Sequence, residues 1–460
     1  MARYILILLI LFISIIRYNK HMKKGKHANF LLLSTLIQLI PLSGIICKLG
    51  SIHASFNVMP GATDSFFAID ALWIVTILIV IFHIKPLHPS LKTKPKQNYK
   101  FFLILTIIEI ISILNPINSL PYAGLPTFLR ITQLFIFLHI ISKYLSYQSA
   151  LKGLYDGFKW AVGLQFIITT LFPVLHISYV SQLFRPEIAS WAFRRDMASA
   201  LGTFMHPGAL ALFSCMSAIF FFACYLNKYK NKDAIVRLMM CIYIILFTYS
   251  RTSYLTIIGT LLFIYILCKN RKGIRTSSII YFCIGTATIV ILFLTTPLTD
   301  LFFKSDVDTQ IENRELHFLL ALASFKDSPI FGIGLNNHVN YLHNILNTNN
   351  IGHVIEFFIT NPIHNSHLII LAETGLIGFS LWCYYFISRI FMGFKYCIGT
   401  NPSINIINLS FSGILLVYIL YGMTGWSCFH REIYPFLIVV GFFTWWIQVI
   451  NATPMFSFNF

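Results

Sequence analysis

Charge is what this sequence has least of. Asp, Glu, Lys and Arg make up 11% of its 460 residues, against roughly 25% in soluble domains. Acidic residues are the scarcer kind, 16 against 34 basic ones. There is no C-x-x-C pair, no H-E-x-x-H and no glycine-rich phosphate loop. Their absence removes the usual zinc, redox and soluble nucleotide sites, and neither a cofactor nor a metal is expected. Seven of the nine cysteines lie in or beside apolar runs, where cysteine acts as a small apolar residue. Internal repeats and low-complexity linkers are also missing, so residues 1–460 read as one domain.

What the chain does have is hydrophobic residues, 57% of the total, at a mean hydropathy of +0.74. Apolar runs of about 17–25 residues recur along it, the length that spans a bilayer as helix. Hydrocarbon offers backbone groups no partners, so each run must pair its own. The fold class expected is all-α: a polytopic membrane protein of about 13 transmembrane helices. They fall near residues 1–16, 29–46, 67–83, 101–115, 125–142, 158–177, 207–226, 235–250, 253–268, 277–297, 366–388, 404–421 and 434–450.

A net charge of +18 invites a nucleic-acid reading, and the placement of the charges rejects it. Most basic residues sit in five short breaks: Arg17 to Lys26, Lys85 to Lys100, Lys143 to Lys159, Lys228 to Arg237, and Lys269 to Arg275. Those breaks hold two acids, Asp156 and Asp233, while the alternate breaks hold nearly all the others. Basic short loops mark the cytoplasmic side. Only Arg3 precedes the first run and five basic residues follow it, which puts the N-terminus outside and argues against a cleaved signal peptide.

Function is then sought on the outer face. Its largest loop covers residues 298–365, and a long loop in a compact protein is usually functional. Within it, residues 311–326 predict an amphipathic helix lying at the interface. Asp327-Ser328-Pro329-Ile330-Phe331-Gly332-Ile333-Gly334 follows, where the glycines predict a turn of close backbone approach. The loop ends in Asn361-Pro362-Ile363-His364-Asn365-Ser366-His367 and runs into Glu373-Thr374-Gly375-Leu376-Ile377-Gly378. With Asn361 as cap and Pro362 at the first position, His364 falls in a helix's first turn. The helix's positive end keeps an imidazole neutral there, available as a base. Gly375 and Gly378 are expected to let another helix pack closely. The alternative is that His364 and His367 are interfacial polar residues without chemistry.

Between Ala234 and Cys268 the apolar stretch is too long for one ~30 Å crossing, so it must reverse at Ser250 to Ser253. That places Arg251 near the outer headgroups. An arginine at mid-membrane costs at least ~2.5–3.5 kcal/mol, and guanidinium forks pair well with phosphate. Snorkelling to lipid phosphates is the alternative. Arg185 and Arg194-Arg195-Asp196 precede Gly202-Thr203-Phe204-Met205-His206-Pro207-Gly208 on the same side. Pairing with Glu187 or Asp196 competes there with ligand contact. Several arginines and one histidine suit transfer from a lipid diphosphate, with guanidinium neutralising the leaving group and imidazole taking a hydroxyl proton.

The same residues resemble the O-antigen polymerase and O-antigen ligase family of bacterial membrane glycosyltransferases. His364-Asn365, nine residues, then Gly375-Leu376-Ile377-Gly378 is similar to the family's histidine motif. Asp327 to Gly334 resembles the segment before it, Arg314 the arginine opening that segment, and Ser250-Arg251 the arginine at an outer hairpin. Gly202-Thr203-Phe204 with Pro207 resembles the preceding motif. The resemblance covers roughly residues 185–390. It implies a membrane-embedded glycosyltransferase fold in the bacterial inner membrane, with 298–365 as a periplasmic loop. It implies undecaprenyl diphosphate-linked oligosaccharide as donor, His364 as catalytic base, and Arg251, Arg314 and one of Arg194 and Arg195 as diphosphate ligands, without a metal. A chain-length regulator joins the bilayer and donor as an expected partner, and no nucleic acid does. The acceptor stays open between another lipid-linked repeat, for a polymerase, and lipid A-core, for a ligase. The Gly-Ile-Gly segment and long loop resemble polymerases more.

A transporter or flippase of lipid-linked sugars is the competing class. It requires paired ionisable residues at mid-membrane, for which Glu109, Arg130 and His139 are the candidates. A non-catalytic scaffold would need no outer arginine–histidine set. The topology is testable directly. Cysteines substituted at Lys94, Lys230 and Lys272 should resist a membrane-impermeant thiol reagent in intact cells, and those at Asp308 and Asn349 should react. Labelling of the first set from outside would invert the map.

Overall fold

A computed structural model describes residues 2–23, 28–43, 47–51, 65–69, 71–81, 106–118, 121–125, 128–129, 132–133, 136, 140, 144–171, 193–194, 197–204, 206–272, 307–348, 363, 365–397, 399, 401–423 and 425. The elements are α1 (Ala2–Lys23), α2 (Phe30–Ser43), β1 (Cys47–Ser51), β2 (Ser65–Ile69), α3 (Ala71–Ile81), α4 (Tyr147–Thr169), β3 (Phe193–Arg194) and β4 (Met197–Ala198). After them come α5 (Pro207–Leu226), α6 (Asn231–Phe247), α7 (Arg251–Lys272), α8 (Val307–Asp327), α9 (His338–Thr348), α10 (Ser366–Lys395) and α11 (Pro402–Gly422).

Among the described residues five helices are long and apolar enough to cross a membrane: Tyr4–Lys23, Pro207–Leu226, Arg251–Cys268, Ser366–Lys395 and Pro402–Gly422. Four of them match expected spans to within a few residues at their starts, while the first runs past the expected end at residue 16, through Arg17 and Lys20 to Lys23. The spans expected at 277–297 and 434–450, and most of 125–142, lie outside the described residues. The all-α reading needs one amendment. β1 pairs antiparallel with β2, Cys47 opposite Ile69 and Ser51 opposite Ser65, and β3 pairs with β4. A hairpin is the other local way to satisfy backbone groups. Consequently α3 begins at Ala71, four residues after the expected start of its span.

The chain forms two compact units, each assembled from three separate stretches. The first comprises Met1–Leu42, Tyr147–Glu312 and Ile390–Tyr421, and the second Ser43–Ser146, Asn313–Arg389 and Gly422–Phe460.

In the first unit α5 is the central element, with 18 of its 20 residues buried. A helix hydrophobic all round is a buried helix. Phe213, Phe220 and Phe221 on α5 meet Phe158 and Tyr155 on α4, with ring centroids 5.0–6.4 Å apart. Against its other side, α4 carries Gly153 and Gly157 one turn apart. A Cβ at Gly153 would lie 2.6 Å from the Phe30 carbonyl oxygen, and one at Gly157 2.8 Å from Ile37 Cβ. Small residues at this spacing let helix backbones touch.

That contact corrects the expected basic break at Lys143 to Lys159, because α4 starts at Tyr147. The turns from 150 to 158 bury Ala150, Leu151, Gly153, Leu154, Tyr155, Gly157 and Phe158, so packing overrides the charges on the other face. Both acids of the basic side are engaged there. Arg17 donates to Asp156 through Nη1 (2.8 Å) and Nη2 (3.0 Å), and Ser34 Oγ donates to it at 2.6 Å. Asp233 accepts from Tyr155 Oη at 2.6 Å and meets Lys159 at 3.6 Å and Arg237 at 3.4 Å. Burial pushes the Asp233 pKa up, but the Tyr155 hydroxyl and the two cations outweigh burial and hold it below the usual carboxylate value.

Candidate functional site

Arg251 sits where the long apolar stretch reverses. α6 ends at Phe247 and α7 begins at Arg251, with Tyr249 between them at φ +50°. The turn is closed by Ser253 N–H and Tyr254 N–H, which donate to the Ser250 carbonyl at 3.0 and 3.3 Å. Tyr254 Oη also reaches back to the Leu246 carbonyl at 2.6 Å. Arg251 is thus the first residue of α7 and is half-buried. Its guanidinium charge adds to the positive end of the helix, an arrangement that favours anions nearby.

The segment from Ser199 to Gly208 packs beside this turn within the first unit. Ala200 N–H donates to the Phe247 carbonyl at 2.7 Å. Gln165, fully buried on α4, accepts from Thr203 N–H and donates to Thr203 Oγ1, both at 2.9 Å. Thr203 Oγ1 donates onward to the Pro41 carbonyl at 2.8 Å. Gly202 has φ +56°, and a Cβ there would lie 2.1 Å from Gln165 Oε1. His206 caps α5 by accepting from Gly208 N–H at 3.0 Å, and Pro207 takes the first helical position, where a missing N–H costs nothing. Gly202 to Phe204 and His206 to Gly208 therefore form a seat for α5 beside the Arg251 turn. Arg194 lies on β3, ahead of that seat. Arg185 and Arg195 lie outside the described residues.

The second unit holds the loop motifs. α8 covers the expected helix at 311–326 and starts a turn earlier; Arg314 lies on it. Ala321 of α8, Val339 of α9 and Ile369 of α10 share one buried cluster with Ile363. Tyr341 on α9 donates to the Asp327 carboxylate at the end of α8. Burial and that carboxylate hold the Tyr341 hydroxyl protonated well above its ordinary range.

The Gly-Ile-Gly segment is a turn of close approach, as expected, but its partner is a break in a helix. α10 loses helical geometry at Gly375, φ +62° and ψ −168°. The groups freed by the break bond to the turn: Ile333 N–H to the Ala372 carbonyl (2.9 Å) and Gly334 N–H to the Glu373 carbonyl (3.1 Å). In return Leu376 N–H donates to the Pro329 carbonyl (2.9 Å) and Ile377 N–H to the Ile330 carbonyl (3.3 Å). Gly332 (φ +76°), Gly334 (φ +105°) and Gly375 are all required. A Cβ at Gly332 would lie 2.2 Å from the Glu373 carbonyl carbon, and one at Gly375 2.4 Å from that of Ile330. The expected helix–helix contact at Gly375 is thus replaced by contact with a turn, because only a non-helical partner can bond to freed backbone groups.

Side chains complete the turn's bonding. Asn115 Nδ2 donates to the Gly332 carbonyl, Asn337 Nδ2 to that of Ile333 at 2.9 Å, and Leu335 N–H to Ser112 Oγ at 2.8 Å. The Glu373 carboxylate faces the N–H groups of Asn336, Asn337 and His338, the last at 3.2 Å. Nothing in local spacing marks Glu373 out, because the nearest of its partners in sequence, His338, lies 35 residues away. Glu109, one turn before Ser112, is buried, and neither of its carboxylate oxygens meets a donor among the described residues. Arg130 and His139, its expected companions, lie outside them.

His364 also lies outside the described residues, as do Asn361 and Pro362. The start of the following helix is clear. Asn365 Oδ1 accepts from His367 N–H (3.0 Å) and Leu368 N–H (3.1 Å), and Ser366 Oγ donates to the Gly425 carbonyl at 2.8 Å. Asn365 is therefore the cap, in place of Asn361, and α10 begins at Ser366, two residues beyond His364. A side chain that caps its own helix fixes the boundary better than a proline upstream. Among the described residues no group of three or more His, Cys, Asp or Glu side chains converges on one point.

Residues 236–383 match the model of the O-antigen ligase family. The matched stretch is about a third of the chain. It runs from α6 into α10 and includes Arg251, Arg314, His364 and the Gly332–Gly375 contact, while Arg194 and Arg195 precede it. The resemblance read from the motifs is borne out. No curated protein matches the chain.

The helix break is testable. Gly375→Ala forces a side chain into a glycine-only conformation and against the Ile330 backbone. It should cost at least about 2–3 kcal/mol and abolish function. Gly259→Ala, where a Cβ meets nothing within 4 Å among the described residues, should be neutral or stabilising by up to about 1 kcal/mol. Thermal unfolding in detergent compares the two.

Proposed function

The chain carries the O-antigen ligase family's pattern over residues 236–383, and from that premise we propose a metal-independent glycosyltransferase of the bacterial inner membrane. Its donor is undecaprenyl diphosphate-linked oligosaccharide, its active site faces the periplasm, and about 13 helices span the bilayer. The observation that carries the proposal is the order of residues inside the matched segment: Arg251, then Arg314, then His364-Asn365, then the glycines that lock the loop onto α10.

The step assigned to these residues is a displacement. His364 takes the proton of an acceptor hydroxyl, whose oxygen bonds to the donor's anomeric carbon. The bond from that carbon to the diphosphate oxygen breaks, and undecaprenyl diphosphate leaves with the electron pair. Arg251, Arg314 and one of Arg194 and Arg195 neutralise its growing negative charge. Arg251 at the N-terminus of α7 supports this role, since helix ends of this sign attract phosphate. His364 stands just before the cap of α10, whose positive end disfavours imidazolium and favours the neutral base.

For the acceptor we favour another lipid-linked repeat, a polymerase, with a chain-length regulator as partner. The long 298–365 loop and its Gly-Ile-Gly turn support that choice. The matched family's description as a ligase favours transfer to lipid A-core instead. Gene deletion separates them. A polymerase deletion should leave single repeat units on the final anchor. A bare anchor, with polymer accumulating on the lipid carrier, would make the protein a ligase.

The mechanism predicts that His364→Ala lowers transfer at least about 100-fold at near-normal protein level, and that His367→Ala is milder. Activity should persist in a chelator, because arginines supply the neutralising charge. Transfer from purified lipid-linked donor measures all three. Most activity surviving in His364→Ala would sink the base assignment, and movement of unreacted donor without polymer would favour a transporter.

A further inference from the structure

Glu373 takes no part in the chemistry just described, yet it is a carboxylate 4% exposed within an apolar helix. An ionisable group in that setting is costly and calls for a function. Its surroundings name one. The first N–H groups of a helix lack internal partners, and a side chain just ahead of the helix usually supplies the cap. Before α9, Asn337 Oδ1 accepts from the Asn340 side-chain amide at 3.1 Å, and the side-chain amides of Asn336 and Asn337 are turned to other carbonyls. Asn336 Nδ2 donates to the Ala123 carbonyl at 3.0 Å and Asn337 Nδ2 to the Ile333 carbonyl. The Glu373 carboxylate fills the position instead, facing the N–H groups of Asn336, Asn337 and His338. A charged acceptor at a helix N-terminus is among the stronger hydrogen-bonding arrangements.

We infer that Glu373 is a positioning residue, which caps α9 and so holds the outer-loop helices in register with the helix that follows His364-Asn365. The line of contact is continuous within the second unit. Glu373 holds the start of α9, Tyr341 of α9 holds Asp327 of α8, and Val339 packs with Ala321 of α8 and Ile369 of α10. Arg314 rides on α8. The break at Gly375 follows Glu373 by two residues, and the Glu373 carbonyl itself accepts from Gly334 N–H in the same turn. The geometry stands by itself. Its consequence for catalysis rests on the glycosyl-transfer reading.

Hydrogen exchange on the full-length protein in lipid nanodiscs, read peptide by peptide, tests the cap while transfer kinetics are measured on the same preparations. Glu373→Ala should speed exchange across residues 336–348 about fivefold or more, leave α5 unchanged, raise the donor KM and lower kcat. Glu373→Gln keeps an oxygen acceptor, so it should fold, retain most of the protection and most of kcat, and show the wild-type pH profile. Unchanged exchange in Glu373→Ala overturns the cap. A Glu373→Gln protein that is protected yet inactive also overturns the inference, since the carboxylate would then be needed for chemistry. Should the alanine variant not fold, Glu373→Asp decides: one methylene short, it should exchange faster than Glu373→Gln, and equal rates overturn the cap. Activity surviving in His364→Ala would sink the glycosyl-transfer reading and leave the exchange result standing.

Discussion

A helix that breaks inside an apolar protein exposes carbonyls and N–H groups with no water to receive them, and each must find a partner or cost free energy. In α10 the break at Gly375 is matched by the Pro329–Gly334 turn, whose backbone supplies both donors and acceptors. The order of the second unit follows from that match. Gly332 and Gly375 are needed because two backbones cannot approach so closely past a Cβ, and Gly334 because its positive φ and the Asn118 side chain leave a Cβ no room. Asn115, Ser112 and Asn337 are needed to satisfy the turn's remaining groups. What reads in the sequence as two separate motifs, Gly-Ile-Gly and Gly-Leu-Ile-Gly, is one contact.

The first unit solves a related problem differently. Its helices stay whole, and closeness comes from Gly153 and Gly157 where α4 touches α2. Polar groups are then handed from one segment to the next, Gln165 to Thr203 to the Pro41 carbonyl. On the basic side, Asp156 and Asp233 bind Arg17, Lys159 and Arg237. The two-pronged Arg17–Asp156 contact is the strongest geometry of the three, while the part-exposed Lys159–Asp233 pair contributes at most about 1 kcal/mol. The rarity of acids there makes each one specific, since a basic side chain has few other partners to choose.

Within each unit, one of the arginines named in the proposal stands on an ordered element. Arg251 stands at a turn closed by Ser250, Ser253 and Tyr254. Arg314 stands on a helix whose far end is tied through Asp327 and Tyr341 to α9. Preorganised charge costs no rearrangement when a leaving group departs, and the proposed role asks this of both arginines.

The sequence by itself determined that the chain lives in a membrane, that it is helical, and where Arg251 must turn. Hydrophobic length and charge placement carry that information locally, residue by residue. It also marked Gly332, Gly334 and Gly375 as places of close approach, because glycine's freedom is a property of the residue. Tertiary structure decided the rest. Asn365 displaced Asn361 as the cap because capping depends on which oxygen meets free N–H groups. α4 extended through a charged stretch because its other face had glycine contacts to fill. Glu373 acquired its role from amides 35 or more residues away. Contacts between distant segments leave no local period or spacing in a single sequence, and only the folded chain brings the carboxylate to the helix end that needs it.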